Sequence, residues 1–177
     1  AMFYPIMLGL RTMKKLYIVR HSKAVETAPD FSDFNRCLAE YGVEKATTIA
    51  KHLAQDLSDV DLILSSPACR ALETANIFAE QLNYPGTDIV QLQPLYHFGG
   101  IEQAVDIISH VDDDVETLML FGHNPTFNAL SWNLCKDFRD AMPTSSVVGI
   151  TFNTKTWPKA IKKGGKLHTY LTKKNLH

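Results

Sequence analysis

Three short runs along the chain are apolar without interruption: Leu16–Val19, Leu62–Leu64 and Leu118–Phe121. Each is β-prone and apolar on both faces, as a strand buried inside a parallel sheet must be. Ile89–Leu92 is a weaker run of the same kind. Between these runs apolar residues recur at helical spacing. The first stripe is Ala46, Ile49, Ala50, Leu53 and Leu57; the second is Ala71, Leu72, Ala75, Phe78, Ala79 and Leu82. Ile101, Ala104, Val105 and Ile108 form a third, and Phe127, Leu130 and Leu134 a fourth. Gly42, Pro67, Pro85, Gly99–Gly100 and Pro125 punctuate the boundaries. Alternating strands and helices predict an α/β protein, a three-layer α/β/α sandwich on a mostly parallel sheet. The last third differs. Val147–Phe152 and Leu167–Leu171 read as two strands closing one edge of that sheet, and the lysine-rich stretch Pro158–Gly165 between them reads as a loop. With no internal repeat or linker, residues 13–177 read as one domain. Residues 1–12 read as an N-terminal extension or a cloning remnant.

Composition changes this picture little. The chain has 177 residues, 45% hydrophobic and 21% charged, which suits one globular domain with a full core. A net charge of −1 argues against nucleic acid and anionic membranes as partners, so any anion site must be local. No apolar run reaches the ~20 residues a membrane span needs. Met2–Leu10 is apolar but has no basic residues before it and no small-residue cleavage site after it, so it is not read as a signal peptide. The three cysteines, Cys37, Cys69 and Cys135, are odd in number and widely spaced. Free thiols in a reducing cytoplasm are the expectation.

Chemistry is sought at the carboxyl ends of the strands, where open α/β sheets bind ligands. Arg20, His21, Ser22 and Lys23 follow the first strand, and Ser65 and Ser66 the second, with Arg70 in the next helix. His97 lies beyond the third, and His123 and Asn124 follow the fourth. Taken singly, each has a bland explanation, such as a structural salt bridge or a hydrogen-bonded histidine. Together they bring arginines, histidines and a lysine to one face of a nearly neutral protein, a setting for phosphate or carboxylate.

Leu16–Ala24 with its Arg20-His21 pair, then Ser66-Pro67-Ala68-Cys69-Arg70-Ala71 with Thr74, then Phe121-Gly122-His123-Asn124-Pro125, resembles the histidine phosphatase superfamily, which has the phosphoglycerate mutase-like fold. The short length resembles its SixA-like branch of phosphohistidine phosphatases. The resemblance runs from about Lys14 to the C-terminus. It implies that His21 is a nucleophile that carries the phosphoryl group as phosphohistidine. It implies that Arg20, Arg70 and His123 bind that group, with Arg36 a further arginine near the pocket. Ser22, Lys23, His97 and Asn124 are further candidate binding residues. The resemblance implies no cofactor and no metal. The partner would be a phosphorylated protein or a small phosphate ester, and phosphate or sulfate should bind. A monomer is the default expectation.

The chemistry suits these residue types. A neutral imidazole is a competent nucleophile near pH 7. Fixed positive charge stabilises the negative equatorial oxygens of a phosphoryl transition state. Two departures from the family pattern stand out. Ser22 replaces a usual glycine, and its hydroxyl could reach a phosphate oxygen. Residues 91–98 contain no carboxylate to protonate a leaving group, a gap that suits a labile P–N bond better than an ester, with His97 as a substitute acid. Other readings stay open: a phosphomonoesterase on a sugar phosphate or nucleotide, a phospho-ligand binding module without turnover, and a metal hydrolase built on His21, His97 and His123.

Overall fold

The computed structural model describes residues 13–96 and 100–176. Six strands form one sheet: β1 (Lys14–Arg20), β2 (Leu62–Ser65), β3 (Val90–Gln91), β4 (Thr117–Gly122), β5 (Val147–Phe152) and β6 (Lys166–Leu171), in the order β3-β2-β4-β1-β5-β6. Five helices cover it: α1 (Glu40–Ala54), α2 (Cys69–Gln81), α3 (Gly100–Ser109), α4 (Thr126–Leu134) and α5 (Trp157–Lys163).

The uninterrupted apolar runs are buried on both faces, and the pleat divides them between two cores. Leu16 and Ile18 of β1, with Leu118 and Leu120 of β4, face α3, α4 and α5. Tyr17 and Val19, with Met119 and Phe121, face α1 and α2. The three layers follow from that alternation. Phe78 and Phe121 meet edge to face at 5.3 Å with no exposed surface. Truncating Phe121 to Ala would cost about 3–5 kcal/mol. β3 is short and exposed at the sheet's edge, which explains its weaker apolar signature.

The sheet is mixed rather than mostly parallel. β3, β2, β4 and β1 are parallel to their neighbours, whereas β5 runs antiparallel to β1 and β6 antiparallel to β5. The cause lies in the segment after α4. Ser145 donates its backbone N–H to the carbonyls of Arg20 and His21, and Arg20 N–H donates to Ser146. The chain therefore enters β5 beside the end of β1, with Val147 opposite Val19, and runs back. The tail strands do close one edge of the sheet, as expected. The stretch between them is not all loop: α5 occupies most of it. Pro158 sits in its first turn, where a missing N–H costs nothing. Thr156 caps the helix through Lys159 N–H, and Gly164 ends it at φ 74°.

Candidate active site

The end of β1 is fixed from several sides. His21 N–H donates to the Gly122 carbonyl at the end of β4 (3.0 Å). Ser22 N–H donates to Thr74 Oγ1 of α2 (2.9 Å), and Ser22 Oγ donates to the Gly42 carbonyl of α1 (2.7 Å). Gly42 is required here, because a Cβ would run into the Lys23 carbonyl. This turn holds His21 Nδ1 2.7 Å from the Ser22 carbonyl. A carbonyl can only accept, so in the neutral ring Nδ1 carries the proton and Nε2 keeps its lone pair. Burial, then the neighbouring Arg70, Arg20 and Arg36 charges, push His21 down to about 4 despite that hydrogen bond. The imidazole is neutral at physiological pH.

His123, at the end of β4, faces His21 with ring centroids 5.1 Å apart. Its Nε2 lies 2.8 Å from Ser66 Oγ at the end of β2. Burial foremost, then His21 and Arg70, push it down to about 3. Its Nδ1 is buried without a hydrogen-bond partner among the described residues, as is Arg20 Nε. Arg20 Nη1 donates to the Met142 carbonyl (2.9 Å), and burial lowers the Arg20 pKa.

Arg70 and Arg36 converge through a residue the sequence did not single out. Arg70 Nη1 donates to the Asp33 carbonyl (2.8 Å) and Nη2 to its carboxylate (3.0 Å). Arg36 Nη1 pairs with the same carboxylate at 2.9 Å, and Tyr96 Oη donates to it at 2.8 Å. Burial raises the Asp33 pKa, but hydrogen bonds from Tyr96, Arg70 and Arg36 outweigh it and hold the carboxyl at about 2. A carboxylate therefore does stand at this site. It comes from the loop after β1, not from the third strand, and it is ionised. Its only sequence signal was its place three residues before Arg36. Tyr96, whose ring lies 5.6 Å from His123, was also missed.

Cys37 and Cys69, expected as free thiols, are joined as a disulfide with Cα atoms 4.8 Å apart. Cys37 follows Arg36 and Cys69 precedes Arg70, and Cys69 N–H donates to the Phe34 carbonyl (3.0 Å). A separation of 32 residues hid a contact that the fold creates by laying the loop before α1 on the start of α2. Cys135 is free and buried. Among the described residues, the one group of three side chains spaced for a metal is Cys37, Cys69 and Glu73, and its two sulfurs are bonded to each other.

The remaining candidates fall differently. The hydroxyl of Ser22 is fully buried and its hydrogen is committed to Gly42, so it is not directed at a ligand as expected. Its backbone is unstrained, since Phe31, Asn83 and Ser145 are the described non-glycine residues with positive φ. Asn124 spends its amide on the fold: Nδ2 donates to the Met142 carbonyl (2.9 Å) and Oδ1 accepts from Asn128 N–H (3.1 Å). Lys23 is exposed. His97 lies outside the described residues. The structure thus gathers Arg20, His21, Arg36, Arg70 and His123 from four segments of chain.

The α/β sandwich thus carries a neutral histidine at one strand end among the guanidinium groups of Arg20, Arg36 and Arg70, groups chemically suited to an oxyanion. Comparison with known proteins agrees. Residues 16–131 match the histidine phosphatase superfamily (branch 1), and the chain belongs to that family. An uncharacterized protein of Mycobacterium tuberculosis (strain ATCC 25618 / H37Rv) is 33% identical over 115 residues, 64% of this chain and 67% of that one. The protein histidine phosphatase SixA, solved with tungstate, superposes with a TM-score of 0.78 at 22% identity, over 92% of this chain and 99% of the other. SixA from Agrobacterium tumefaciens gives 0.73 at 29% identity, over 90% and 97%. A phosphoglycerate mutase from Bacillus anthracis gives 0.57 at 18% identity, over 86% and 97%. No helix among the described residues is long and apolar enough to cross a membrane.

Proposed function

We propose that the protein is a phosphohistidine phosphatase, with His21 attacking phosphorus and carrying the phosphoryl group before water releases it. The observation that supports this most is the state of His21: neutral, held through Nδ1 by the Ser22 carbonyl, and surrounded by cations. Its free Nε2 is the nucleophile. Arg20, Arg70 and His123 bind the transferring group, with Arg36 beside them. Arg20 Nε and His123 Nδ1 are buried with no hydrogen-bond partner among the described residues, and phosphoryl oxygens are suitable ones. Binding a dianion between the histidines would raise the His123 pKa and favour its donating form.

The leaving group narrows the substrate. Ester cleavage releases an alkoxide that needs a proton, and Asp33 is ionised and cannot supply one at neutral pH. Cleavage of a P–N bond needs that proton less. The similarity to SixA structures supports the same substrate class. A cytoplasmic site of action is part of this proposal, and it makes the Cys37–Cys69 disulfide a bond formed in a reducing compartment. Disulfides in that compartment are characteristically redox-responsive.

The test is a quench-flow experiment with a peptide carrying phosphohistidine and radioactive phosphate. Wild type should release phosphate and show a transient, acid-labile label that His21→Ala lacks. Faster turnover of a panel of phosphomonoesters would shift the assignment to a phosphomonoesterase. Binding with neither label nor release would make the protein a phospho-ligand binding module.

A further inference from the structure

Beside the candidate site lies a cleft of about 680 Å³ that begins at Arg20 and Asn124 and extends toward the C-terminal turn. Lys45, Lys173 and Lys174 line it together with Arg20, and Asp140 is the one carboxylate among the described residues that line it. The cations come from three separate elements: β1, α1 and the turn Lys173–Asn175. Lys45 Nζ donates to Thr144 Oγ1 (2.9 Å), and Lys173 Nζ donates to Tyr41 Oη (3.1 Å) while standing 4.6 Å over that ring. Among the described residues the ion pairs are Arg36–Asp33, Arg70–Asp33 and His110–Asp106. Among the described residues, the cleft's lysines therefore have no carboxylate partner. Burial first, then the Lys173, Arg20 and Lys23 charges, lower the Lys45 pKa, as expected for an uncompensated cluster. In a chain with net charge −1 this concentration is local.

We propose that this cleft is a docking subsite for the carboxylates of an acidic peptide segment flanking the phosphorylated residue of a protein substrate. The proposal rests on the phosphohistidine reading of the neighbouring site. The cleft is far larger than a phosphoryl group requires, and its charges are spread along it, which matches side chains strung on an extended peptide. The Tyr41 and Tyr170 rings supply apolar surface for the peptide between its charged groups. Arg20 lines both sites, so a peptide seated on the lysines would present its phosphorylated residue toward His21.

The experiment uses a fluorescein-labelled, unphosphorylated peptide rich in glutamate and its glutamine counterpart, titrated with the full protein by fluorescence anisotropy. The glutamate peptide should bind about tenfold more tightly, from several exposed charge pairs acting together, and the difference should shrink as salt rises. Lys45→Ala and, separately, Lys173→Ala/Lys174→Ala should each reduce that preference while p-nitrophenyl phosphate kinetics stay within about twofold. The second variant changes only exposed residues, so it guards against a folding defect at Lys45. Equal affinity for the two peptides, or a preference that survives both variants, would overturn the subsite. Citrate binding as tightly as the glutamate peptide would overturn the peptide assignment in favour of a small anion. If the glutamate peptide binds as described but phosphohistidine peptides are not hydrolysed, the proposed function fails and the docking cleft stands.

Discussion

Arg70 and Asp33 are joined twice, Nη1 to the carbonyl at 2.8 Å and Nη2 to the carboxylate at 3.0 Å. The pair places an anion beside the guanidinium proposed to receive phosphate. Asp33→Asn keeps the shape and the carbonyl contact but removes the charge. Vanadate should then bind about three- to tenfold more tightly, because one competing charge is gone. Isothermal titration of both proteins measures this. Weaker binding would mean that the carboxylate chiefly positions Arg70.

Nucleophile and clamp should separate on mutation. His21→Ala should abolish turnover yet leave inorganic phosphate binding largely intact, because His21 bonds to phosphorus only during reaction. Arg70→Ala should weaken both, costing roughly 2–4 kcal/mol in kcat/KM, the range for a lost oxyanion donor. Kinetics and titrations on the two variants check it. More residual activity in His21→Ala than in Arg70→Ala would transfer the nucleophile's role to His123.

The depressed histidines set a pH dependence. His21 at about 4 keeps its nucleophilic form well below the ordinary histidine range. The acid limb of kcat/KM, corrected for substrate titration, should fall near pH 4 to 5 rather than 6.5. Stability follows the same groups. Unfolded histidines bind protons near pH 6.5, whereas His21 and His123 in the folded state wait until about 4 and about 3. Between those limits the unfolded state holds more protons, so stability falls as pH drops from 6.5 and levels off near the folded values. Denaturant melts across that window, with NMR titration of the ring of His21, provide the test.

The Cys37–Cys69 bond closes a loop with a separation of 32 residues. Loop-closure entropy gives it roughly 3–4 kcal/mol, or on the order of 10 °C in melting temperature for a chain of this size. Reductant should lower the melting temperature by about that much in wild type and leave Cys37→Ser/Cys69→Ser unmoved. A wild-type melt insensitive to reductant would show that the bond contributes little.

The strands that carry the site were legible because burial on both faces leaves a continuous apolar signature, as in Leu118–Phe121. The cations at their ends were legible because strand ends are few. Asp33 was not, since its importance comes from contacts 37 and 63 residues away that no local pattern encodes. The same holds for the cysteine pair. The helix inside Pro158–Gly165 was hidden because a lysine-rich stretch reads as a loop, although Pro158 in the first turn and the Thr156 cap suit a helix start. The direction of β5 was hidden because an apolar run looks the same in either sense.

Folding brings Arg20, Arg36 and Arg70 together at one sheet edge, where Asp33 is the carboxylate that pairs with two of them. Gathering like charges opposes folding, so part of the chain's stability is withheld until an oxyanion arrives. A ligand that binds only the folded chain adds about 2.7 kcal/mol at 100 times its Kd. The melting temperature therefore doubles as a gauge of site occupancy. In phosphate and in an amine buffer the same molecule should behave as two materials of different robustness.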